Sequence, residues 1–243
     1  MKDKLFEKSL DEVIPFRFDK NVAEVFDDMA SRSIPLYASI RNWQVKVVER
    51  MYLPHSAIYD IGCSTGNTLI EIRKLFRPQH MVGIDPSQDM LNVCARKFAD
   101  LGMEELELLH AYAQDVDFKN AGVILMNYTL QFIPSRDRLD LLKKLYDSLL
   151  PGGIFLFSEK VVESTKMMQE LETDLYYDFK RINGYSELEI AHKREALDQV
   201  LIPDTIDAHL LRLKEAGFEE VMLWNKWFNF ASFIAVKKAN SHA

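Results

Sequence analysis

The sequence predicts an α/β fold in which a mainly parallel sheet is covered by helices on both faces. Three observations carry that expectation. From residue 57 to residue 236, short apolar runs alternate with segments whose apolar residues recur at helical spacing. The run Ala57-Ile58-Tyr59-Asp60-Ile61 stops abruptly in Gly62-Cys63-Ser64-Thr65-Gly66-Asn67, and helical spacing resumes at Thr68, which reads as strand, tight turn, helix. His80-Met81-Val82-Gly83-Ile84-Asp85 is a second apolar run that ends in an acid, about twenty residues on, where a nucleotide-binding β-α-β unit places its ribose acceptor.

Taken in order, residues 1–15 are mixed in character, end at Pro15 and read as a loosely held lead-in. Asn21 to Met29 has helical spacing with Asp19 as its N-cap, and Pro35 separates it from a second amphipathic helix over Ala38 to Tyr52. Both are N-terminal cap helices ahead of the sheet. Thr68 to Phe76 is the first core helix, Ser87 caps a helix that runs to Leu101, and Leu106 to His110 is the third strand. Gly122 to Asn127 is a continuous apolar run, as a strand buried on both faces should be. A charged amphipathic helix over Ser135 to Leu150 stops at Pro151-Gly152-Gly153, before a fifth strand over Ile154 to Glu159. Ser164 to Pro203 is charged, helical and without strand patterning, too long for a plain connection, so it reads as a helical insertion before the last helix, Ile206 to Ala216. Val221 to Trp224 and Phe228 to Val236 form a terminal antiparallel hairpin that completes a seven-stranded sheet, and Lys237 to Ala243 reads as a frayed tail.

A chain of 243 residues with 48% apolar content can bury one large core, so residues 1–243 are expected to form a single domain, with 1–52 as cap helices and 164–203 as the insertion. The net charge of −7 argues against direct nucleic-acid binding, which needs a dense Lys/Arg surface. Cys63 and Cys94 show neither CxxC spacing nor a His/Cys cluster, so no disulfide framework and no metal site are expected. No N-terminal apolar segment approaches the roughly 18 residues of a membrane span, and the first residues lack a signal-peptide core; a soluble cytoplasmic protein without membrane contact is expected.

The chemistry concentrates at the glycine loop. Gly62 and Gly66 can take positive φ or let a ligand approach the backbone, and the helix that follows offers unpaired N–H groups. Asn127 closes a buried strand at its carboxyl end, where open α/β sheets bind ligands. The spacing D-x-G-x-x-x-G over Asp60 to Gly66 is not the dinucleotide pattern. It resembles the first motif of class I S-adenosyl-L-methionine (AdoMet) methyltransferases, which implies a Rossmann-like class I methyltransferase fold. By that likeness the first glycine lies under the amino-acid part of AdoMet, and Asp85 takes both ribose hydroxyls.

A narrower resemblance rests on Asp178-Phe179-Lys180-Arg181-Ile182-Asn183-Gly184-Tyr185-Ser186-Glu187-Leu188-Glu189-Ile190 and His192-Lys193-Arg194, together with Phe26-Asp27-Asp28-Met29, Asn127-Tyr128-Thr129-Leu130-Gln131-Phe132 and Ser158-Glu159-Lys160. From about Phe16 to Val236 the chain resembles the carboxy-S-adenosyl-L-methionine synthase family. The resemblance implies an enzyme that converts AdoMet and prephenate to carboxy-AdoMet and phenylpyruvate, in the pathway to the 5-oxyacetic acid group of tRNA wobble uridine. It also implies a homodimer. Position by position, it implies cofactor contacts from Tyr37, Gly62, Cys63, Ser64, Asp85, Pro86 and Asn127, and a catalytic, carboxylate-binding role for Arg194, whose forked guanidinium suits a carboxylate. Where the family commonly has an Asp-Ile pair that meets adenine, the ungapped match here is Tyr112-Ala113, with Asp115 downstream. Either Asp115 recovers the role through a local gap, or backbone groups meet the adenine edge. The alternatives are an AdoMet-dependent methyltransferase acting on a small molecule or tRNA, and a catalytically inert AdoMet-binding subunit; neither needs a guanidinium at the transferred group. For the homodimer, the expected interface is the insertion, through Met167, Met168, Leu171, Leu175, Tyr176, Tyr177 and Phe179.

Overall fold

A computed structural model describes residues 3, 5–6, 15–103, 106–198 and 200–239. Seven strands, β1 (Ala57–Ile61), β2 (His80–Asp85), β3 (Glu107–His110), β4 (Ala121–Asn127), β5 (Leu149–Lys160), β6 (Glu220–Trp227) and β7 (Phe230–Val236), form one sheet in the order β3-β2-β1-β4-β5-β7-β6. The first five are parallel; β7 runs antiparallel to β5 and pairs with β6 as the expected hairpin. β1 and the first six residues of β4 are fully buried, because both faces of the central strands are covered.

The two faces are separated by the period-2 alternation of strand side chains. Tyr59, Ile61, Ile124, Met126, Phe155 and Phe157 pack with Leu141, Leu142 and Leu145 of α5 (Ser135–Ser148) and Leu213 of α8 (Ile206–Glu215). Ile58, Val123, Leu125, Ile154 and Leu156 face the other way, onto Val45 and Val48 of α2 (Tyr37–Met51), Leu69 and Ile72 of α3 (Asn67–Leu75), and Leu91, Cys94 and Phe98 of α4 (Gln88–Asp100). Both cysteines are buried and unbridged.

The expected caps are present. Asp19 accepts from the Val22 N–H at the start of α1 (Lys20–Ser33), and Ser87 accepts from the Met90 N–H at the start of α4. The insertion folds as α6 (Lys166–Ile182) and α7 (Glu187–Asp198), with α6 against α1 over the carboxyl edge of the sheet. β5 begins at Leu149, earlier than expected, because Leu150 precedes Pro151 and is pushed out of the helical region, so α5 ends at Ser148. The loosely held lead-in does not hold at Asp3, which is buried and whose N–H donates to Asp28 Oδ2 at 2.8 Å. Most of the remaining lead-in, and the tail from residue 240, lie outside the described residues. Tyr176, expected on an exposed face, is buried instead, with its ring 5.6 Å from that of Phe230. Met167, Met168, Leu171 and Leu175 stay exposed. Among the described residues, no helix is long and apolar enough to cross a membrane.

Candidate active site

A cavity of about 260 Å³ opens at the carboxyl ends of β1, β2, β4 and β5, beneath α1, α6 and α7. Its floor is the loop after β1. Gly62 and Gly66 have φ of 70° and 78°, so the chain turns through conformations that glycine takes without strain. The Gly62 and Cys63 N–H groups both donate to Ile84 O, at 2.8 and 3.0 Å, which fastens the loop to the end of β2. A Cβ at Gly62 would stand 2.1 Å from Thr129 Oγ1, so the loop after β4 also closes down on this glycine. Asp85 receives the Ser64 N–H on one oxygen at 3.0 Å and the Ser87 N–H on the other at 2.8 Å. Each oxygen keeps acceptor capacity for a ligand hydroxyl. Burial pushes the Asp85 carboxyl up, against the Ser87 and Ser64 amides and His110, which pull it down. Behind it, burial and the Asp85 charge push Asp60 up to about 8.

The loop after β4 forms the next wall. Asn127 and Gln44 exchange amide hydrogen bonds, at 2.7 and 3.0 Å, and Gln44 Nε2 also donates to Ser158 Oγ at 3.1 Å. The buried Glu159 carboxylate accepts from the N–H groups of Thr129, Leu130 and Gln131 at 2.9–3.1 Å, and burial pushes it up to about 8 against those bonds. This clamp holds Tyr128 at φ 56°, a left-handed conformation that costs a non-glycine residue of order 1–3 kcal/mol. Among the described residues the buried Tyr128 hydroxyl has no hydrogen-bond partner, and its ring lies 6.2 Å from that of Tyr37 at the first position of α2.

The roof is cationic. Arg41 lies 5.1 Å above the Tyr37 ring, and among the described residues its buried Nε has no partner. Lys193 donates to Ser33 Oγ at 2.8 Å and Tyr185 OH at 3.1 Å, and sits 3.8 Å from Asp3; burial still pushes it down to about 7. Lys180 is 3% exposed and is pushed down to about 7 by burial, with Lys193, Lys160 and Arg194 adding repulsion. Arg194 is exposed at the rim, and among the described residues its hydrogen bond is Nη1 to Tyr177 OH at 3.4 Å.

The fold therefore gathers Tyr37, Gly62, Cys63, Ser64, Asp85, Pro86, Asn127 and Arg194 around one cavity. It does not bring Tyr112, Ala113 or Asp115 to its wall. β3 is an edge strand, and the turn after it packs Ala113 and Val116 into the core, which leaves Tyr112 64% exposed. An aromatic wall of Phe16, Phe18 and Phe132 lines the cavity instead. Arg41, Asp60, Lys160, Lys180 and Lys193 also line it, without having been singled out from the sequence. Asp60, Lys160, Lys180 and Lys193 had a signal, since each lies inside a motif quoted above; Arg41 has none beyond its place on a helix.

Residues 58–153 match the Methyltransferase domain family. A putative AdoMet-dependent methyltransferase from Methanococcus maripaludis aligns with TM-score 0.64 at 15% identity, over 97% of this chain and 99% of that one. Magnesium protoporphyrin IX methyltransferase from Synechocystis aligns with TM-score 0.62 at 12% identity, over 86% and 87%. These likenesses show the class I methyltransferase fold. Carboxy-S-adenosyl-L-methionine synthase of Shewanella frigidimarina is 42% identical over 97% of this chain and 98% of its own length, and that of Actinobacillus pleuropneumoniae is 41% identical over 97% and 99%. With that identity over nearly the full length of both chains, and one cavity lined by Asp85 and Arg194, the chain belongs to the carboxy-S-adenosyl-L-methionine synthase family.

Proposed function

We propose that the protein converts AdoMet and prephenate to carboxy-AdoMet and phenylpyruvate, as a cytoplasmic homodimer that supplies the carboxymethyl donor for tRNA wobble-uridine modification. The observation that carries the reading is the polarity of the cavity. Asp85, with acceptor capacity left on both oxygens, stands at one end, and cations stand at the other. The residues fit AdoMet. Asp85 suits two ribose hydroxyls, the Tyr37 and Tyr128 rings suit a sulfonium through their π faces, and the Tyr128 hydroxyl and Arg41 Nε, without a partner among the described residues, suit a polar ligand.

When bound, AdoMet supplies a methyl group beside a sulfonium, which can release a proton and take up CO₂. The sum balances: prephenate loses its ring carboxylate and ring hydroxide as the ring becomes aromatic, and that hydroxide leaves as water with the methyl proton. The protein's part is to bind, orient and keep bulk water out. The roof of α1, α6 and α7 covers the cavity, and Arg194 offers a fork for the new carboxylate. A methyl-transferring site gains nothing from a guanidinium there.

Incubation with AdoMet and prephenate, read by mass spectrometry, tests the reaction: a carboxylated cofactor and phenylpyruvate are expected. S-adenosylhomocysteine with a methylated acceptor would establish the methyltransferase reading in its place. Arg194→Lys keeps the charge and loses the fork, so affinity for carboxy-AdoMet is expected to fall at least tenfold more than affinity for AdoMet, the worth of about one charge-assisted hydrogen bond. Isothermal titration of both ligands checks it, and equal losses would remove Arg194 from the carboxylate. For the dimer, Met167, 68% exposed, Met168, Leu171 and Leu175 leave one apolar face of α6 open. Sedimentation at micromolar concentration is expected to give twice the chain mass, and a Leu171→Glu variant to give the monomer.

A further inference from the structure

Lys160 ends β5 and Lys180 lies in the last turn of α6, yet both line the same cavity and both ammonium groups stand over the ring of Tyr176, at 5.5 and 4.8 Å from its centroid. Among the described residues neither Nζ has a hydrogen bond or an ion pair. Lysines as buried as Lys180 are almost always paired, because an uncompensated ammonium in a low-dielectric site is costly. Lys193, equally buried, obeys that rule through Ser33, Tyr185 and Asp3. Lys160 and Lys180 do not, and Asp198, the carboxylate whose charge favours both, forms no ion pair with either. Two converging ammonium groups over one aromatic face make a pair suited to hold an anion.

Position says which anion. Asp85 ends β2, Gly62 follows β1, Asn127 ends β4 and Lys160 ends β5, and those strands are neighbours in the order β2-β1-β4-β5. At about 4.8 Å per strand, Lys160 stands three spacings, roughly 14 Å, from the ribose acid. A ligand with its ribose at Asp85 and its amino-acid part over Gly62 ends near Asn127, short of the lysine pair. The second substrate occupies the remaining space.

We propose that Lys160 and Lys180, with Tyr176 beneath them, form the subsite for the carboxylate that the carboxyl donor retains, so that the donor is selected as a dicarboxylate: one carboxylate is held here and the other is given up. This rests on the proposed reaction for the identity of the donor. Both lysines are specificity-determining residues of that site, distinct in role from Arg194, which meets the carboxylate that is transferred.

The test uses Lys160→Met and Lys180→Met in the full chain, with Lys180→Arg as the conservative variant. Expected results are an AdoMet dissociation constant within about threefold of wild type, a KM for prephenate raised tenfold or more, a smaller change in kcat, and partial recovery in Lys180→Arg. Removing an unpaired buried charge is also expected to leave the melting temperature of ligand-free protein unchanged or higher, where a purely structural lysine would lower it. A parallel loss of AdoMet affinity would assign the pair to the methionine carboxylate and overturn the proposal, as would an unchanged KM for prephenate. Calorimetric binding of phenylpyruvate, which carries only the retained carboxylate, to AdoMet-loaded protein needs no turnover. If wild type makes no carboxy-AdoMet but binds phenylpyruvate at least tenfold more tightly than Lys180→Met, the reaction fails and the subsite stands. If wild type and variant bind phenylpyruvate alike, the subsite fails whatever the reaction.

Discussion

Arg138→Met is expected to destabilise the protein by about 3–5 kcal/mol, the usual cost of breaking a buried, hydrogen-bonded ion pair from one side. Arg138 lies on α5 and is 0% exposed. Its guanidinium donates to Ile133 O at 2.8 Å, Gln131 O at 3.2 Å, Ile202 O at 2.7 Å and Asp204 Oδ2 at 2.6 Å. Asp204 also accepts from Arg212 Nη2 at 2.7 Å and Gln131 O from the Ile202 N–H at 2.9 Å, so the variant takes the guanidinium donor from Ile133 O and Ile202 O and leaves part of a carboxylate unsatisfied. Burial pushes the Asp204 carboxyl up, but the Arg212 and Arg138 guanidiniums together hold it below the usual carboxylate value. A folded-state pKa below the unfolded one contributes stability that is present above the unfolded value and is lost as pH falls through the folded one. Wild type is therefore expected to lose part of its stability below about pH 4, and Arg138→Met to lose less over that interval because part of the term is already absent. Urea denaturation at neutral and acid pH measures both quantities; a loss under about 1 kcal/mol at pH 7 would show that the network is slack. Gln131 belongs to the loop after β4, and Ile202 follows the insertion, so loosening both is also expected to raise KM for AdoMet and prephenate together.

Asp85→Ala is expected to weaken AdoMet binding by about 1.5–3 kcal/mol, the value of hydrogen bonds to a charged group, which is roughly 10- to 150-fold in Kd. The Ser64 and Ser87 amides occupy one site on each oxygen and fix the carboxylate plane, so the remaining acceptor capacity is already aimed when the ligand arrives. Removing the carboxylate also strips two loop amides of their acceptor. Asp85→Asn separates the effects, since its one oxygen keeps one amide partner while the charge is lost. Calorimetry at constant pH gives the affinities, and thermal melting of the ligand-free proteins gives the structural part. An AdoMet affinity unchanged in Asp85→Ala would remove Asp85 from the ribose.

Much of this molecule was legible without coordinates because the signals are local. The abrupt stop of an apolar run at Gly62, the Asp19 and Ser87 caps and the unbroken run of β4 each depend on residues within a turn or two of one another, and the structure reproduces each. Asp85 was readable for the same reason, since strand length and loop length bring the end of β2 beside the end of β1. The edge strand was harder. β3 is short and its turn folds into the core, so an ungapped match to Tyr112 and Ala113 points at residues that lie away from the cavity.

The sequence by itself determined the succession of strands and helices along the chain, the glycine loop that floors the cavity and the motifs that name the family, because periodicity and turn chemistry are properties of neighbours along the chain. Tertiary structure alone decided which of the many charges are buried. In α6, Lys180 and Arg181 are adjacent and alike on paper, yet Lys180 turns inward over Tyr176, which packs on Phe230, while Arg181 pairs with Asp178 and Glu187 in solvent. Arg138 finds Asp204 across 66 residues, and Lys193 finds Ser33 across 160. Burial is set by what another element places over a side chain, so the cationic end of the cavity exists only once the insertion has docked on the sheet.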